Sequence, residues 1–296
     1  MKLPIAYILF LLVAVGHTTE GPTANIYNGT LGFSRIFFMI FENEGFNDAY
    51  SDPNFKQFAL DGMLLTNYYT TYHPSQPNYI VTICASTMGC VDDTDVNIEG
   101  VSIVDLLEDF SMTWKSYDEA YPGNCYAGHK YGTYYRKHNP FISMVNIQSN
   151  PKRCSLIVNA QDPLVGLDAD LAKNALPQYS YYTPDINDDD HDTNITYAGQ
   201  YLVKFFSERK FPAGTLIFVT FDEDAYDENN HLYAVLQGSM VAKGTTDDTA
   251  YSHNSYTKTV EKNWKLGTLN KDDLTANYFT MRPTGTQTAG AISVSG

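Results

Sequence analysis

The chain has 296 residues, of which 43% are hydrophobic, 14% aromatic and 18% charged, and its formal net charge is −15. That length suits one sizeable core, because single cores extend to about 250–300 residues, and the composition excludes a largely disordered chain. The acidic balance excludes nucleic acid as a scaffold partner and disfavours anionic lipid surfaces, so an anionic substrate needs local positive charge from a metal ion or a basic cluster.

In chain order, Met1-Lys2 precedes an apolar run from Leu3 to Val15, and Ala14-Val15-Gly16 offers a small-x-small cleavage signal. Residues 1–16 therefore read as a secretory signal peptide. The run is shorter than the roughly 20 apolar residues of a spanning helix, and no second run approaches that length. The expectation is an exported, extracellular protein without stable membrane insertion. Asn28-Gly29-Thr30 and Asn194-Ile195-Thr196 fit the N-glycosylation acceptor.

Arg35–Phe41 is continuously apolar, as in a strand buried on both faces. Ser75 stands before an apolar segment with Pro77 in its first turn, which predicts a helix with Ser75 as N-cap. Ser102 is a second N-cap, for a helix to Phe110. Strands are predicted over Thr113–Tyr117, Tyr179–Thr183, Thr215–Phe221 and Leu232–Gln237, with helices over Tyr197–Lys210 and Ser255–Leu266. Strands alternating with helices predict a single α/β domain over residues 17–281, a three-layer sandwich with helices on both faces of a mostly parallel sheet. Residues 282–296, rich in Thr, Gly, Ala and Ser, read as a flexible tail. Four cysteines allow three pairings; Cys84–Cys90 and Cys125–Cys154 are favoured because each closes a short loop.

Both strong strands run into acids, Glu42-Asn43-Glu44 and Asp222-Glu223-Asp224. Ligands in open α/β sheets bind beyond the carboxyl ends of the strands, where hard oxygen donors converge on a cation. A hydroxyl at Ser75 lies in the positive field of a helix terminus, and a metal there makes it a nucleophile. Thr183 to Asp192 packs five carboxylates with His191 but lacks the central Gly and terminal Glu of an EF-hand loop. Arg136-Lys137-His138 is the densest basic cluster, read either as a phosphate contact or as a solvated turn, and His253 stands in Ser252-His253-Asn254.

Together and in this order, these segments resemble the phosphoesterase family of acid phosphatases and bacterial-type phospholipases C, within the alkaline-phosphatase-like superfamily. The resemblance is nearest to secreted fungal-type, phosphate-repressible acid phosphatases. It rests on Phe41-Glu42-Asn43, His73-Pro74-Ser75-Gln76-Pro77-Asn78-Tyr79, Arg136-Lys137-His138-Asn139-Pro140, Asn187 to Asp192, Thr220 to Asp224, and Tyr251-Ser252-His253 leading into Trp264.

The resemblance implies an alkaline-phosphatase-like sandwich. It assigns Ser75 as a nucleophile that becomes phosphorylated, and Glu42, Asn43, Asp222 and Glu223 as metal ligands. His253 is implied as a further ligand, and His191 with Asp192 as a proton-transfer pair. His138, Arg136 and His73 are implied as phosphate or leaving-group contacts. A departure is Asp190, standing before the His-Asp pair where members of the family often carry Gly. The cofactor is a divalent ion: Ca, Mg, Mn, Fe or Zn. The expected activity is a phosphomonoesterase acting on small phosphorylated substrates. The alternatives are a phospholipase C-type diesterase and a non-catalytic binding or structural protein on the same scaffold.

Overall fold

A computed structural model describes residues 29–281. The expected signal peptide, the tail and Asn28 lie outside the described residues. The first half contains β1 (Arg35–Phe41), α1 (Phe46–Ser51), α2 (Pro53–Leu60), β2 (Met63–Leu65), α3 (Ser75–Cys84), α4 (Ile103–Asp109) and β3 (Trp114–Asp118). A hairpin of β4 (Lys130–Tyr131) and β5 (Tyr134–Tyr135) leads into a 3-10 turn, Arg136–His138, and the short helices α5 (Pro140–Ser143), α6 (Val145–Gln148) and α7 (Pro151–Cys154). Then follow β6 (Ile157–Asn159), α8 (Leu167–Ala172), β7 (Tyr179–Thr183), α9 (Ile195–Glu208), β8 (Thr215–Phe221), β9 (Ala234–Gln237), β10 (Thr245–Asp247) and α10 (His253–Trp264).

Eight strands form one sheet in the order β10-β2-β9-β8-β1-β7-β3-β6, and only β9 runs against its neighbours. The unbroken apolar character of β1 has a direct cause, since it lies between β7 and β8 and every residue of it is buried. Successive side chains of a strand point to opposite faces, so Phe37 and Phe38 report the two helical layers. Phe37 packs on Phe205 and Phe206 of α9. Phe38 stacks on Phe218, with ring centroids 5.0 Å apart, and meets Tyr256 of α10 at 4.3 Å. Helix α2 joins α9 on the first face and α3 joins α10 on the second. The architecture is the expected α/β sandwich.

Strand predictions over Tyr179–Thr183 and Thr215–Phe221 coincide with β7 and β8, whereas β3 starts one residue late and β9 is two residues shorter than Leu232–Gln237. Three helix starts differ, and α9 begins at Ile195, two residues before the predicted Tyr197. Pro74, not Ser75, is the N-cap of α3, and Ser75 is its first helical residue. Helix α10 begins at His253, capped by Ser252.

One cysteine pairing is corrected. Cys125 and Cys154 are bonded, joining the approach to the β4–β5 hairpin to α7. Cys84 and Cys90 are free and buried. Cys84 ends α3 with its sulfur 3.6 Å from the Met144 sulfur, whereas the Cys90 thiol donates to the Asp92 carbonyl, so the two point into different surroundings. Short sequence separation is therefore not spatial pairing here. Protein denatured without reductant should titrate two thiols with Ellman's reagent, and four after reduction. No reactive thiol before reduction would restore the Cys84–Cys90 bond.

Candidate active site

The register of the sheet builds the site. Phe41 and Phe221 are paired across β1 and β8, so Glu42 and Asp222 leave the sheet side by side. The Asp222 N–H donates to the Phe41 carbonyl at 3.0 Å, and the Glu42 N–H to the Asp189 carbonyl at 2.9 Å, which draws in the loop after β7. Glu42 has the same parity as Phe38 and so turns towards the α3 face. The first residue of α3 is Ser75.

Ser75 is 2% exposed, and its hydroxyl donates to Glu42 Oε1. It also lies 3.2 Å from Glu223 Oε1 and 3.2 Å from Lys137 Nζ. One hydroxyl proton cannot serve two carboxylates, so the pocket holds more acceptor than donor. Asp222 completes it: Oδ1 accepts the Asn43 and Glu223 N–H groups, at 3.1 and 2.7 Å, while Oδ2 is buried with no donor. Oxygens of Glu42, Asp222 and Glu223 lie within 4.8 Å of one another.

The charges are distributed unequally. Burial alone would raise Glu42, but His138, Lys137 and Ser75 hold it at about 2. Burial and then the charge of Glu42 push Glu223 up to about 8 and Asp222 well above the carboxylate range. A bare, donor-free oxygen among mutually repelling carboxylates fits a hard divalent cation. Glu42, Asp222 and Glu223 are the residues that could hold it, beside the Ser75 hydroxyl.

His138 supports this cluster from behind. Its Nε2 lies 2.8 Å from Glu42 Oε2 and its Nδ1 3.3 Å from Asp189 Oδ2. Burial opposes its charge, but Glu42 and Asp189 raise it to about 9, and Tyr79 stacks on its ring at 5.0 Å. The imidazolium itself neutralises the Glu42–Asp189 side. His73 bridges Glu223 Oε2, at 2.6 Å, and Asp224 Oδ1, at 3.2 Å, and stacks on Tyr226.

Three assigned residues stand differently from expectation. Arg136 is buried with its guanidinium donating to the carbonyls of Ala127 and Val96 and to the Asn97 side chain, so it pins loops and does not face Ser75. His253, expected as a ligand, has both ring nitrogens engaged: Nδ1 with the Tyr68 hydroxyl at 2.9 Å and Nε2 with the Asp222 carbonyl at 2.7 Å. Burial lowers it to about 4, so it is a neutral donor that holds the Asp222 peptide in place. Asn43 meets the cluster through its backbone N–H at a left-handed φ of 43°.

The cation facing Ser75 is Lys137, which sequence reasoning passed over in favour of its neighbour. Lys137 also contacts Asp93 Oδ2 at 3.1 Å, and although burial works against its charge, Glu42 and Asp93 hold its pKa above the ordinary lysine value. Asp93 in turn accepts from the Gln76 N–H at the start of α3. The basic triplet was the signal, but three residues per 3-10 turn send successive side chains about 120° apart. Only the surrounding chain decides which one reaches the serine. His191, with Nδ1 2.8 Å from Asp192, brings Nε2 to 3.5 Å from Lys137 Nζ.

The fold is similar to that of a solved protein of the alkaline phosphatase superfamily. That protein, from Vibrio parahaemolyticus, superposes with a TM-score of 0.55 at 14% identity, over 83% of this chain and 72% of that one. Residues 45–267 match the Phosphoesterase family, and the chain belongs to it. It is 34% identical over 275 residues to an acid phosphatase of Aspergillus fumigatus, covering 87% of this chain and 60% of that protein. It is also 34% identical to a phosphate-repressible acid phosphatase of Penicillium chrysogenum, covering 88% of this chain and 65% of that one. The chain thus spans less than two thirds of the length of these curated relatives.

Asp222→Asn removes a buried carboxyl group whose ionisation burial and Glu42 oppose, and keeps a carbonyl oxygen for the two N–H groups. In chelator it should unfold a few degrees above the parent, since about 1 kcal/mol moves a chain of this size by about 2–4 °C. It should also gain less thermal stability than the parent from added MnCl2. An unchanged midpoint in chelator together with an unchanged metal increment would remove Asp222 from the cation site.

Proposed function

We propose that the protein is a metal-dependent phosphomonoesterase that transfers the phosphoryl group of small phosphate esters to Ser75 and then to water. The observation that carries this reading is the buried Ser75 hydroxyl set among Glu42, Glu223 and Lys137, next to the bare Asp222 Oδ2. The family membership and the acid phosphatases among the relatives support it.

A bound divalent ion would supply Lewis acidity towards the phosphoryl oxygens and favour the ionised serine. The residues of the chain do the rest. Glu223 Oε1, 3.2 Å from the Ser75 hydroxyl and a stronger base than Glu42, takes the Ser75 proton. The oxygen then attacks phosphorus while the P–O bond to the leaving group breaks on the opposite side. Lys137, poised beside Ser75, offers positive charge to the equatorial oxygens. His191, oriented by Asp192, gives its Nε2 proton to the departing alkoxide, and the neutral ring next takes a proton from the water that attacks phosphoserine. Phosphate leaves, and Ser75 regains its proton.

A cleft of about 620 Å³ lined by His73, Asp224, Tyr226 and Asn230 gives the leaving group room beside Glu223. Its Tyr226 ring, exposed and stacked on His73, suits a flat or sugar-like leaving group better than an acyl chain. Extracellular location is part of the same proposal, supported by the N-terminal run and by the Cys125–Cys154 bond. No helix of the described residues is long and apolar enough to cross a membrane.

Phosphate release from p-nitrophenyl phosphate tests the reading. Chelation should abolish it and one divalent cation should restore it. Ser75→Ala should lose about 10³-fold or more in kcat/KM. Lys137→Ala should lose about 10²–10³-fold, whereas Arg136→Lys should act through stability. Ser75→Ala with parental activity would end the nucleophile assignment.

A further inference from the structure

A second acidic group lies beside the serine cluster. Glu44 follows β1 by three residues, and Asp190 follows Asp189 in the loop after β7. The Glu42-to-Asp189 backbone hydrogen bond, 2.9 Å, ties these loops together, and the Glu44 and Asp190 carboxyl groups come within hydrogen-bonding reach of each other. Asp190 is 4% exposed, yet neither of its oxygens has a hydrogen-bond donor. Each faces further negative charge: Asp189 and Asp52 act on Asp190, and Asp48, Asp227 and Glu228 act on Glu44. Among the described residues no Lys, Arg or His forms an ion pair with Glu44, Asp190, Asp48, Asp227 or Glu228.

A buried carboxyl group without a donor, facing a second, half-buried one, persists only with a cation or a shared proton between them. The donors here are all oxygen and all sit on loops. Calcium suits such a set, because it accepts about 6–8 oxygens in flexible geometry, whereas magnesium demands a near-ideal octahedron. The acidic rim of Asp48, Asp227 and Glu228, whose oxygens also lie within 4.8 Å of one another, would attract the ion from solvent.

We propose that Glu44 and Asp190 form a calcium site, distinct from the Glu42–Asp222–Glu223 cluster, that fastens the loop after β1 to the loop carrying His191. It draws on different side chains from the phosphatase reading and stands without it.

The backbone provides a mild way to test this. Asp190 has a φ of 99°, a conformation in which glycine is at ease, so Asp190→Gly removes the carboxylate without asking the chain to move. The full chain, Asp190→Gly and Glu44→Gln are each dialysed against CaCl2, and bound calcium is counted by elemental analysis. Thermal unfolding is followed in EDTA and in CaCl2. The parent should carry one calcium more than either variant, and its rise in midpoint with CaCl2 should fall by at least half in both. Asp190→Gly should match or exceed the parent in EDTA. Equal calcium counts in all three proteins would overturn the site. So would an Asp190→Gly midpoint raised by the same amount in EDTA and in CaCl2, which means a shared proton. If Asp190→Gly does not fold, the count and midpoint of Glu44→Gln decide.

Discussion

Everything at the candidate site depends on the parallel pairing of β1 with β8. Their register ends the two strands level, and each is followed at once by a carboxylate, so Glu42 and Asp222 are forced together at the sheet edge. Like charges do not gather without compensation. Much of the surrounding structure can be understood as that compensation: His138 and Lys137 against Glu42, His73 between Glu223 and Asp224, and backbone N–H groups on Asp222. The Asp222 Oδ2 oxygen is left buried without a donor.

The compensation comes in layers. Ser75 and Lys137 form the inner layer, in contact with each other and with Glu42. Behind them, His138 and Asp189 balance the inner face of Glu42, with Tyr79 closing over the ring. Further back, His253 anchors the Asp222 peptide from the start of α10, and Tyr68 holds the other side of its imidazole. A neutral histidine that fixes a backbone carbonyl contributes precision, not charge. This separates its role from that of His138, although both are buried.

Much of this was legible in the chain. The apolar runs of β1 and β8 fall where sequence reading puts them, because a strand buried on both faces must be apolar throughout. The acids that end them, and the serine before an apolar helix, are local patterns and were visible as such. The misreadings share one origin. Arg136 and Lys137 are adjacent and both basic, yet one is consumed by loop carbonyls and the other meets Ser75. Cys84 and Cys90 are close along the chain, yet the helix end and the following loop turn their sulfurs into different neighbourhoods. His253 has the chemistry of a ligand, but its two nitrogens are already spoken for.

By itself, then, the sequence determined the kind of sheet, the strands at its centre, the residue types available at their ends and the family to which they point. These follow from period, hydrophobicity and local order, which act over a few residues. Tertiary structure decided which of those residues meet: Lys137 and not Arg136 at the serine, His138 on Glu42, Asp190 against Glu44. Such pairings depend on strand register and on the direction each side chain leaves a turn. Both are set by contacts between segments far apart in the chain, and no local pattern carries that information.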